Sequence, residues 1–98
     1  MLSIIILTYN QENMVKRCLD SLLRSRTSNV ELIIADDCSR DGTATVISNW
    51  IAMHDSHFFR VSFLKNTKNI GTVRNVIQAV SSSTGDFIKL LAGDDWFT

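Results

Sequence analysis

The sequence predicts a single α/β domain built on a parallel sheet, and three observations support this prediction. Short apolar runs rich in β-branched residues alternate along the 98-residue chain with segments of helical periodicity. Two of these runs, 2–7 and 30–35, lack the alternation of a half-exposed strand and are typical of strands buried on both faces. Strands and helices alternate in the order β-α-β-α-β-α-β. A helix between two successive strands acts as a crossover connection, so we expect a parallel sheet with right-handed crossovers.

Three helices are predicted from apolar residues that recur on one helical face. The first follows Asn10, which we expect to cap it, and its apolar positions are Met14, Val15, Cys18, Leu19, Leu22 and Leu23. The second follows the polar loop DDCSRDGT, and its apolar positions are Val46, Ile47, Trp50 and Ile51. The third follows KNTKNIG, and its apolar positions are Val73, Val76, Ile77 and Val80.

Two further segments complete the predicted sheet. Residues 60–63 alternate between polar and apolar side chains, so we expect a partly exposed third strand at an edge of the sheet. Residues 87–91 form an apolar fourth strand that follows the SSSTG end of the third helix.

Composition and charge exclude several classes of protein. Ten basic and ten acidic residues give a formal net charge of zero, which argues against a nucleic-acid partner because such binders carry a basic surface. Cys18 and Cys38 lie far apart without a CxxC or Cys/His spacing, so we expect reduced thiols and neither a disulfide nor a zinc site. The opening MLSIIIL run is too short for a membrane span and does not resemble a signal peptide, which predicts a cytoplasmic protein, with membrane association of a longer chain left open.

Unusual polar residues follow three of the strands. Thr8-Tyr9-Asn10 follows the first strand, Asp36-Asp37 the second, and Asp94-Asp95 the fourth. In open parallel sheets, ligands bind beyond the carboxyl ends of the strands, although aspartates also cap helices and form turns. An acidic pair repels a phosphate, but Mg²⁺ or Mn²⁺ between them removes the conflict, because hard cations bind carboxylate and phosphate oxygens together. The pattern therefore favours a divalent-cation site that anchors a diphosphate.

Three blocks of the sequence resemble a known family. SIIILTYNQE, ELIIADDCSRDGT and NIGTVRNVIQAVSSSTGDFIKLLAGDDW are similar, in order and spacing, to the N-terminal half of glycosyltransferase family 2, which has the GT-A fold. The resemblance covers nearly the whole chain. It implies a Rossmann-like, three-layer GT-A half-domain with strand order 3-2-1-4, in which residues 1–98 are the nucleotide-sugar-binding part and the acceptor half is absent.

The resemblance also assigns roles to residues at the strand ends. Asp94 and Asp95 match the family's metal-binding acidic motif, and Asp94 is also expected to contact the donor. Many members have an acid where this chain has Ala92, which leaves open which carboxylate contacts metal and which contacts sugar. Asp37 matches the acid that accepts the base N3–H.

Three more residues are candidates for the donor site. Tyr9 matches the aromatic residue beside the base, with Thr8 next to it, and a half-buried tyrosine at a strand end is the alternative. Arg74 matches a basic residue near the diphosphate, with an exposed helical arginine as the alternative. Asp36 is expected to bond to loop backbone, and we interpret His54 and His57 as surface or capping residues.

The function that follows is transfer of a sugar from a nucleoside-diphosphate donor to an unknown acceptor, in surface polysaccharide or glycoconjugate synthesis. A UDP-sugar is the expected donor, with a TDP- or GDP-sugar as the alternatives. The general base of such a transfer must reach the acceptor hydroxyl, and the resemblance implies that it lies beyond residue 98, so we expect the chain alone to be inactive. We also expect self-association, because the fourth strand lacks a second neighbour and Trp96 and Phe97 lack cover.

Two other classes remain as alternatives. A receiver-like module also pairs acids at strand ends around a divalent cation, but it normally places the pair after the first strand. A noncatalytic α/β interaction domain would bind no nucleotide. A dinucleotide-binding domain is disfavoured, because no GxGxxG follows the first strand.

Overall fold

The computed structural model describes residues 1–95, in which strands and helices alternate as the sequence predicts. The strands are β1 (Leu2–Thr8), β2 (Val30–Asp36), β3 (Arg60–Lys65) and β4 (Phe87–Ala92). The helices are α1 (Val15–Leu22), α2 (Thr43–His54) and α3 (Thr72–Ser82), with a 3₁₀ turn at Asp55–His57. Within this part of the chain, no helix has the length and apolar character needed to cross a membrane.

The described strands form one parallel sheet in the order β3-β2-β1-β4. In this register Thr8 lies beside Asp36, and Leu7 lies beside Ala92. The sheet confirms the predicted α/β class and strand order. Because the strands are parallel, the carboxyl ends of β1, β2 and β4 also lie next to one another at one end of the sheet.

The core lies on both faces of β1 and β2, which explains why neither strand alternates. On one face, Ile4, Ile6, Leu32 and Ile34 pack with the apolar residues of α1 and α2. On the other, Ile5, Ile33 and Ala35 pack with Ala79 of α3. Each fully buried aliphatic side chain contributes roughly 1.5–3 kcal/mol relative to an exposed one, so these two central strands hold the site's frame rigid.

The two outer strands are more exposed than the central pair. The side chains of β3 are largely half-buried, as predicted for an edge. In β4, Leu91 is buried against the core, whereas Phe87, Ile88 and Leu90 are 73%, 42% and 48% exposed. The apolar character of β4 is therefore not matched by burial in the described part of the chain.

Asn10 does not cap α1, so this prediction is wrong. The helix begins at Val15 with Met14 at the capping position and no side-chain cap. Asn10 instead adopts a positive φ of 51° and accepts a hydrogen bond from the Arg40 N–H at 2.8 Å. Asparagine tolerates this left-handed conformation, and its amide here joins two loops.

Candidate functional site

A cavity of about 300 Å³ lies at the end of the sheet where the carboxyl ends of the strands meet. Three of the predicted site residues line it, namely Thr8, Tyr9 and Asp37. Leu7 and Ala92 also line it, and the remaining wall consists of polar residues and a glycine to which the sequence analysis assigned no site role, namely Gln11, Asn69, Gly71, Thr72 and Asn75. The cavity thus occupies the place where the sequence predicts a ligand, although its wall includes more of the β3–α3 loop than expected.

Thr8 and Asp36 form part of the frame behind the cavity. The Thr8 hydroxyl donates to Asp36 Oδ1 at 2.6 Å, and Asp36 Oδ2 accepts the Ser39 N–H at 2.9 Å. Both Thr8 and Asp36 are buried. Asp36 therefore bonds to loop backbone as expected, while a direct contact between Thr8 and a substrate stays a prediction.

Tyr9 is held at the cavity wall by hydrogen bonds between the loops that follow β1 and β2. The Asn10 N–H donates to Ser39 Oγ at 2.9 Å, and the Gln11 N–H donates to Thr43 Oγ1 at 2.8 Å. Tyr9 itself is 44% exposed. An aromatic ring that lies in a cavity wall and is partly exposed suits stacking against a planar ligand.

Asp37 is a buried carboxylate held by three donors from the loop that precedes α3. Its Oδ1 accepts from Asn66 Nδ2 at 3.0 Å and from the Ile70 N–H at 2.8 Å, and its Oδ2 accepts the Gly71 N–H at 2.9 Å. Burial opposes the charge, but the hydrogen bonds from Ile70, Asn66 and Gly71 outweigh it and lower the pKa of Asp37. Asp37 is therefore an ionised acceptor at neutral pH.

Gly71 shapes the backbone that meets this carboxylate. Its φ is 88°, in the left-handed region that side chains other than glycine rarely adopt. The turn directs its N–H toward Asp37 immediately before α3 begins. A Cβ at this position would meet no atom within 4 Å, so space does not restrict the residue. The backbone conformation is what favours glycine here.

A network of side-chain amides supports Asp37 from the side of α3. Asn66 Nδ2 donates to Asn75 Oδ1 at 3.1 Å, and Gln78 Nε2 donates to Asn66 Oδ1 at 2.6 Å and to Asn75 Oδ1 at 2.7 Å. Asn75 Nδ2 in turn donates to the Ala35 carbonyl at 3.0 Å. These contacts tie the acceptor at the end of β2 to α3 through groups that are all hydrogen-bonded.

The predicted metal ligands follow β4 at the same end of the sheet. Asp94 and Asp95 are both exposed. Their loop is fixed by a hydrogen bond from the Gly93 N–H to the Leu7 carbonyl at 2.9 Å, and the Ala92 N–H donates to Asp95 Oδ2 at 2.9 Å. The pair therefore lies beside the loop that follows β1.

Two carboxylates suit a hard cation that also binds a substrate phosphate. Among residues 1–95, no group of three or more His, Cys, Asp or Glu side chains is arranged to hold a metal ion. Mg²⁺ is usually held by one or two carboxylates, with phosphate oxygens and water completing the octahedron. The donor set at Asp94 and Asp95 fits that kind of site and does not fit a closed structural metal site.

The charge of the acidic pair reaches Cys18 on α1. Burial, followed by the negative charges of Asp95 and Asp94, raises the pKa of this thiol to about 11. The thiol is accordingly protonated at neutral pH and is not a nucleophile. Cys18 and Cys38 are both free, as the sequence predicts.

Arg74 and the two histidines lie away from the cavity wall. Arg74 is exposed on α3 and is not among the residues that line the cavity, so its role near a diphosphate stays a prediction. His54 ends α2, and its ring centroid is 4.9 Å from that of Trp50 and 5.8 Å from that of His57. His57 is exposed, as the sequence interpretation expects, whereas His54 is half-buried against Trp50.

The asparagines of the β3–α3 loop are functional candidates that the sequence analysis missed. A signal was present, since KNTKNIG combines Asn66 and Asn69 with a glycine directly before a helix. The strand order decides which strand end this loop approaches. The sequence pattern alone does not give the strand order. The structure brings the loop to Asp37.

The family model for glycosyl transferase family 2 matches residues 3–98. The chain belongs to this family. A relative in Mycobacterium tuberculosis, the uncharacterized protein Rv1520, is 37% identical over 98 residues, which are 99% of this chain and 28% of the relative. The chain thus spans under a third of the length of this family member.

Solved structures show the same fold. The mannosyltransferase PcManGT from Pyrobaculum calidifontis, in complex with GDP-Man and Mn²⁺, superposes with a TM-score of 0.88 at 20% identity, over 98% of this chain and 28% of that protein. S. aureus TarS 1-349 in complex with UDP superposes with a TM-score of 0.83 at 23% identity, over 97% of this chain and 28% of that protein. Proteins with this architecture have thus been solved in complex with different nucleotides.

Proposed function

We propose that this family 2 chain binds a nucleoside-diphosphate sugar together with Mg²⁺ or Mn²⁺, for transfer of the sugar to an acceptor. The observation that carries the proposal is the convergence at one end of the sheet of an ionised acceptor, Asp37, a partly exposed aromatic ring, Tyr9, and the acidic pair Asp94 and Asp95. The complexes of the structural neighbours with GDP-Man, Mn²⁺ and UDP support the same ligand class.

The nucleotide would lie in the cavity with its base between Tyr9 and Asp37. Asp37 accepts a ring N–H of the base, and stacking on Tyr9 contributes about 1–3 kcal/mol. Both contacts depend on the loops after β1 and β2, which the hydrogen bonds described above hold together. The base contacts therefore need no metal.

Asp94 and Asp95 would hold the cation, and Asp94 would also approach the donor. When bound, the cation neutralises the diphosphate and so stabilises it as the leaving group. The carboxylates position the diphosphate relative to the nucleotide, and without a cation they repel it. The general base stays a prediction, placed by the family resemblance beyond residue 98.

The acceptor, the cellular location and the pathway are further proposals that rest on family membership. The acceptor would be a saccharide or lipid-linked precursor in surface polysaccharide or glycoconjugate synthesis. A cytoplasmic location, with membrane association of a longer protein, is consistent with a nucleotide-sugar donor.

The test separates a metal-binding role of the acidic pair from a structural one. UDP affinity is measured by calorimetry for the parent, Asp94→Asn and Asp95→Asn, first with Mn²⁺ and then with EDTA. With Mn²⁺ each substitution should cost on the order of 1–3 kcal/mol, the range for charge-assisted contacts. With EDTA the affinity should be unchanged or slightly higher, because a repulsion has been removed.

Asp86→Asn is the matched control, since Asp86 is an exposed carboxylate at the opposite end of β4. It should leave the affinity unchanged in both conditions. If the enhancement by Mn²⁺ survives both substitutions in the acidic pair, the proposed metal site is wrong. If no nucleotide binds to the parent, the proposed function is wrong.

A further inference from the structure

We infer that Asn66 makes the site selective for a donor whose base is an imide-bearing pyrimidine, uracil or thymine, by occupying the carboxylate oxygen of Asp37 that guanine would need. The inference rests on the proposed function. It concerns a residue outside the cavity wall that acts through Asp37, so Asn66 is a positioning residue.

The carboxylate of Asp37 can accept only a limited number of hydrogen bonds. A carboxylate offers about four acceptor positions, two on each oxygen. The described part of the chain fills both positions on Oδ1, from Asn66 and Ile70, and one on Oδ2, from Gly71. One position therefore remains for a ligand, and it is on Oδ2.

The residues that line the cavity indicate that the remaining position on Oδ2 faces the cavity. The donor to Oδ2, Gly71, belongs to the cavity wall, whereas the two residues that donate to Oδ1 lie outside the wall. Asp37 is about 5% exposed, so no other direction is open for an additional donor. A ligand thus meets a single acceptor position rather than the paired oxygens of a free carboxylate.

The network behind Asn66 fixes the direction of its amide. The Ala35 carbonyl can only accept, so Asn75 must present its NH₂ group to β2 and its oxygen to Asn66. Asn66 must then present its own NH₂ group both to Asn75 and to Asp37, while its oxygen accepts from Gln78. A flipped Asn66 amide would place its oxygen against two acceptors, which is costly in a buried network.

The bases differ in how many donors they present to such an acceptor. Uracil and thymine carry one ring N–H between two carbonyls, so a single acceptor position satisfies them. Guanine carries a ring N–H beside an exocyclic amine, a pair that matches both oxygens of a carboxylate. With Oδ1 in use, the guanine amine would lose its partner, and sites that leave a polar group unpaired discriminate against that ligand.

A comparison of nucleotides on the unsubstituted chain tests this directly. UDP, TDP, GDP and IDP are titrated with Mn²⁺, where IDP has the ring N–H of guanine without the amine. We expect UDP and TDP to bind at least about tenfold more tightly than GDP, and GDP to bind no more tightly than IDP. GDP that binds tenfold more tightly than IDP, or as tightly as UDP, would overturn the inference while leaving the proposed function intact.

Substitutions then show whether Asn66 causes the selectivity. In Asn66→Ala one position on Oδ1 becomes free, so the affinity for GDP relative to IDP should rise by about tenfold. Asn49→Ala is the matched control, because Asn49 is an exposed asparagine on α2 that does not line the cavity. That control should keep the GDP to IDP ratio of the parent.

Circular dichroism on each variant establishes that it is folded. A folded Asn66→Ala with the parent's GDP to IDP ratio contradicts the role of Asn66. If this variant does not fold, the comparison of GDP with IDP on the parent tests the inference instead. GDP that binds tenfold more tightly than IDP would then contradict it, because bidentate binding by guanine is incompatible with an occupied Oδ1. If no nucleotide binds to the parent, both the proposed function and the inference are wrong.

Discussion

At the residue scale, the chain uses buried carboxylates at both ends of its sheet for different purposes. Asp37 lies at the carboxyl end, where it lines the cavity. Glu31 lies at the other end, with Oε1 accepting from the Ser3 hydroxyl and the Thr84 N–H, both at 2.8 Å. Arg60 Nε lies 3.5 Å from Glu31 Oε2, so Glu31 links three strands and the turn before β4.

Glu31→Gln should lower the free energy of unfolding by about 2 kcal/mol at neutral pH, because donors that now meet a charge would meet a neutral amide. Burial opposes the charge of Glu31, but hydrogen bonds from Thr84 and Ser3 and the charge of Arg60 together lower the pKa of this carboxyl from its ordinary 4.5. A lowered folded-state pKa contributes stability above pH 4.5 that is lost as the pH falls through the folded value. The difference between parent and variant should therefore shrink below pH 4.5 in urea unfolding.

Asp86→Asn serves as the control for this measurement, since Asp86 pairs with the N-terminal ammonium group at 2.9 Å but is exposed. Exposed ion pairs contribute little, so the unfolding midpoint should hardly change. A Glu31→Gln variant that is as stable as the parent at pH 7 would show that the buried contacts offer no net stabilisation.

At the element scale, the loop after β4 approaches the loop after β1 so closely that a side chain at Gly93 would crowd Gln11 and Thr8. A Cβ at Gly93 would collide with Gln11 Oε1 and lie 3.0 Å from Thr8 Cγ2. Gly93 is also bonded to Leu7 through its N–H. This close approach determines where Asp94 and Asp95 lie relative to the cavity.

Gly93→Ala should displace the acidic pair, because the added methyl group must push aside the Gln11 side chain and crowd the buried Thr8 methyl group, at a cost of about 1–3 kcal/mol in stability. The enhancement of UDP binding by Mn²⁺ should fall, while the affinity in EDTA should stay near that of the parent. Calorimetry in the two conditions measures both quantities.

Gly42→Ala is the matched control at the element scale. A Cβ there would meet only the carboxylate end of the Glu12 side chain, with Oε2 at 2.8 Å, and this flexible exposed chain can move. The Mn²⁺ enhancement should be retained. A Gly93→Ala variant with the parent's full Mn²⁺ enhancement would show that the loop contact does not position the pair.

At the scale of the whole molecule, one side of the sheet carries more apolar surface than its packing covers. Within residues 1–95, β4 pairs only with β1, and α3 packs over β1 and β2. The exposed apolar residues on this side are Ile88 and Leu90 of β4 and Val73, Ile77 and Val80 of α3, while the exposed Phe87 lies on the other face of β4. Trp96 and Phe97, which the sequence analysis expects to lack cover, lie outside the described residues.

The chain should therefore form dimers or larger species at high concentration, because an unpaired strand edge beside an apolar surface favours pairing with a second copy. Static light scattering between micromolar and millimolar protein should show the mass rising with concentration. Replacing Ile88 and Leu90 together by lysine should reduce the association, because charge on an edge strand opposes pairing. A parent chain that stays monomeric at millimolar concentration would contradict the prediction.

The sequence by itself determined the α/β class, the order of the elements and the position of the acids at strand ends. These features depend on local patterns, since β1 and β2 are apolar at successive positions and the helices keep one apolar face. The strand order and the roles of Asp37, Asp94 and Asp95 came from the family resemblance. The order is confirmed, and the roles stay predictions for binding experiments.

Only the tertiary structure decided which polar groups meet. Asn66, Asn75 and Gln78 come from a loop and a helix, and the network that links them through Asn66 to Asp37 exists only because α3 packs over β2. Burial was equally non-local, since β4 has the composition of a buried strand but lies exposed at an edge of the described sheet. The physical reason is that a local pattern fixes the conformation of a segment, whereas hydrogen-bond partners and solvent exposure depend on what the rest of the chain places beside it.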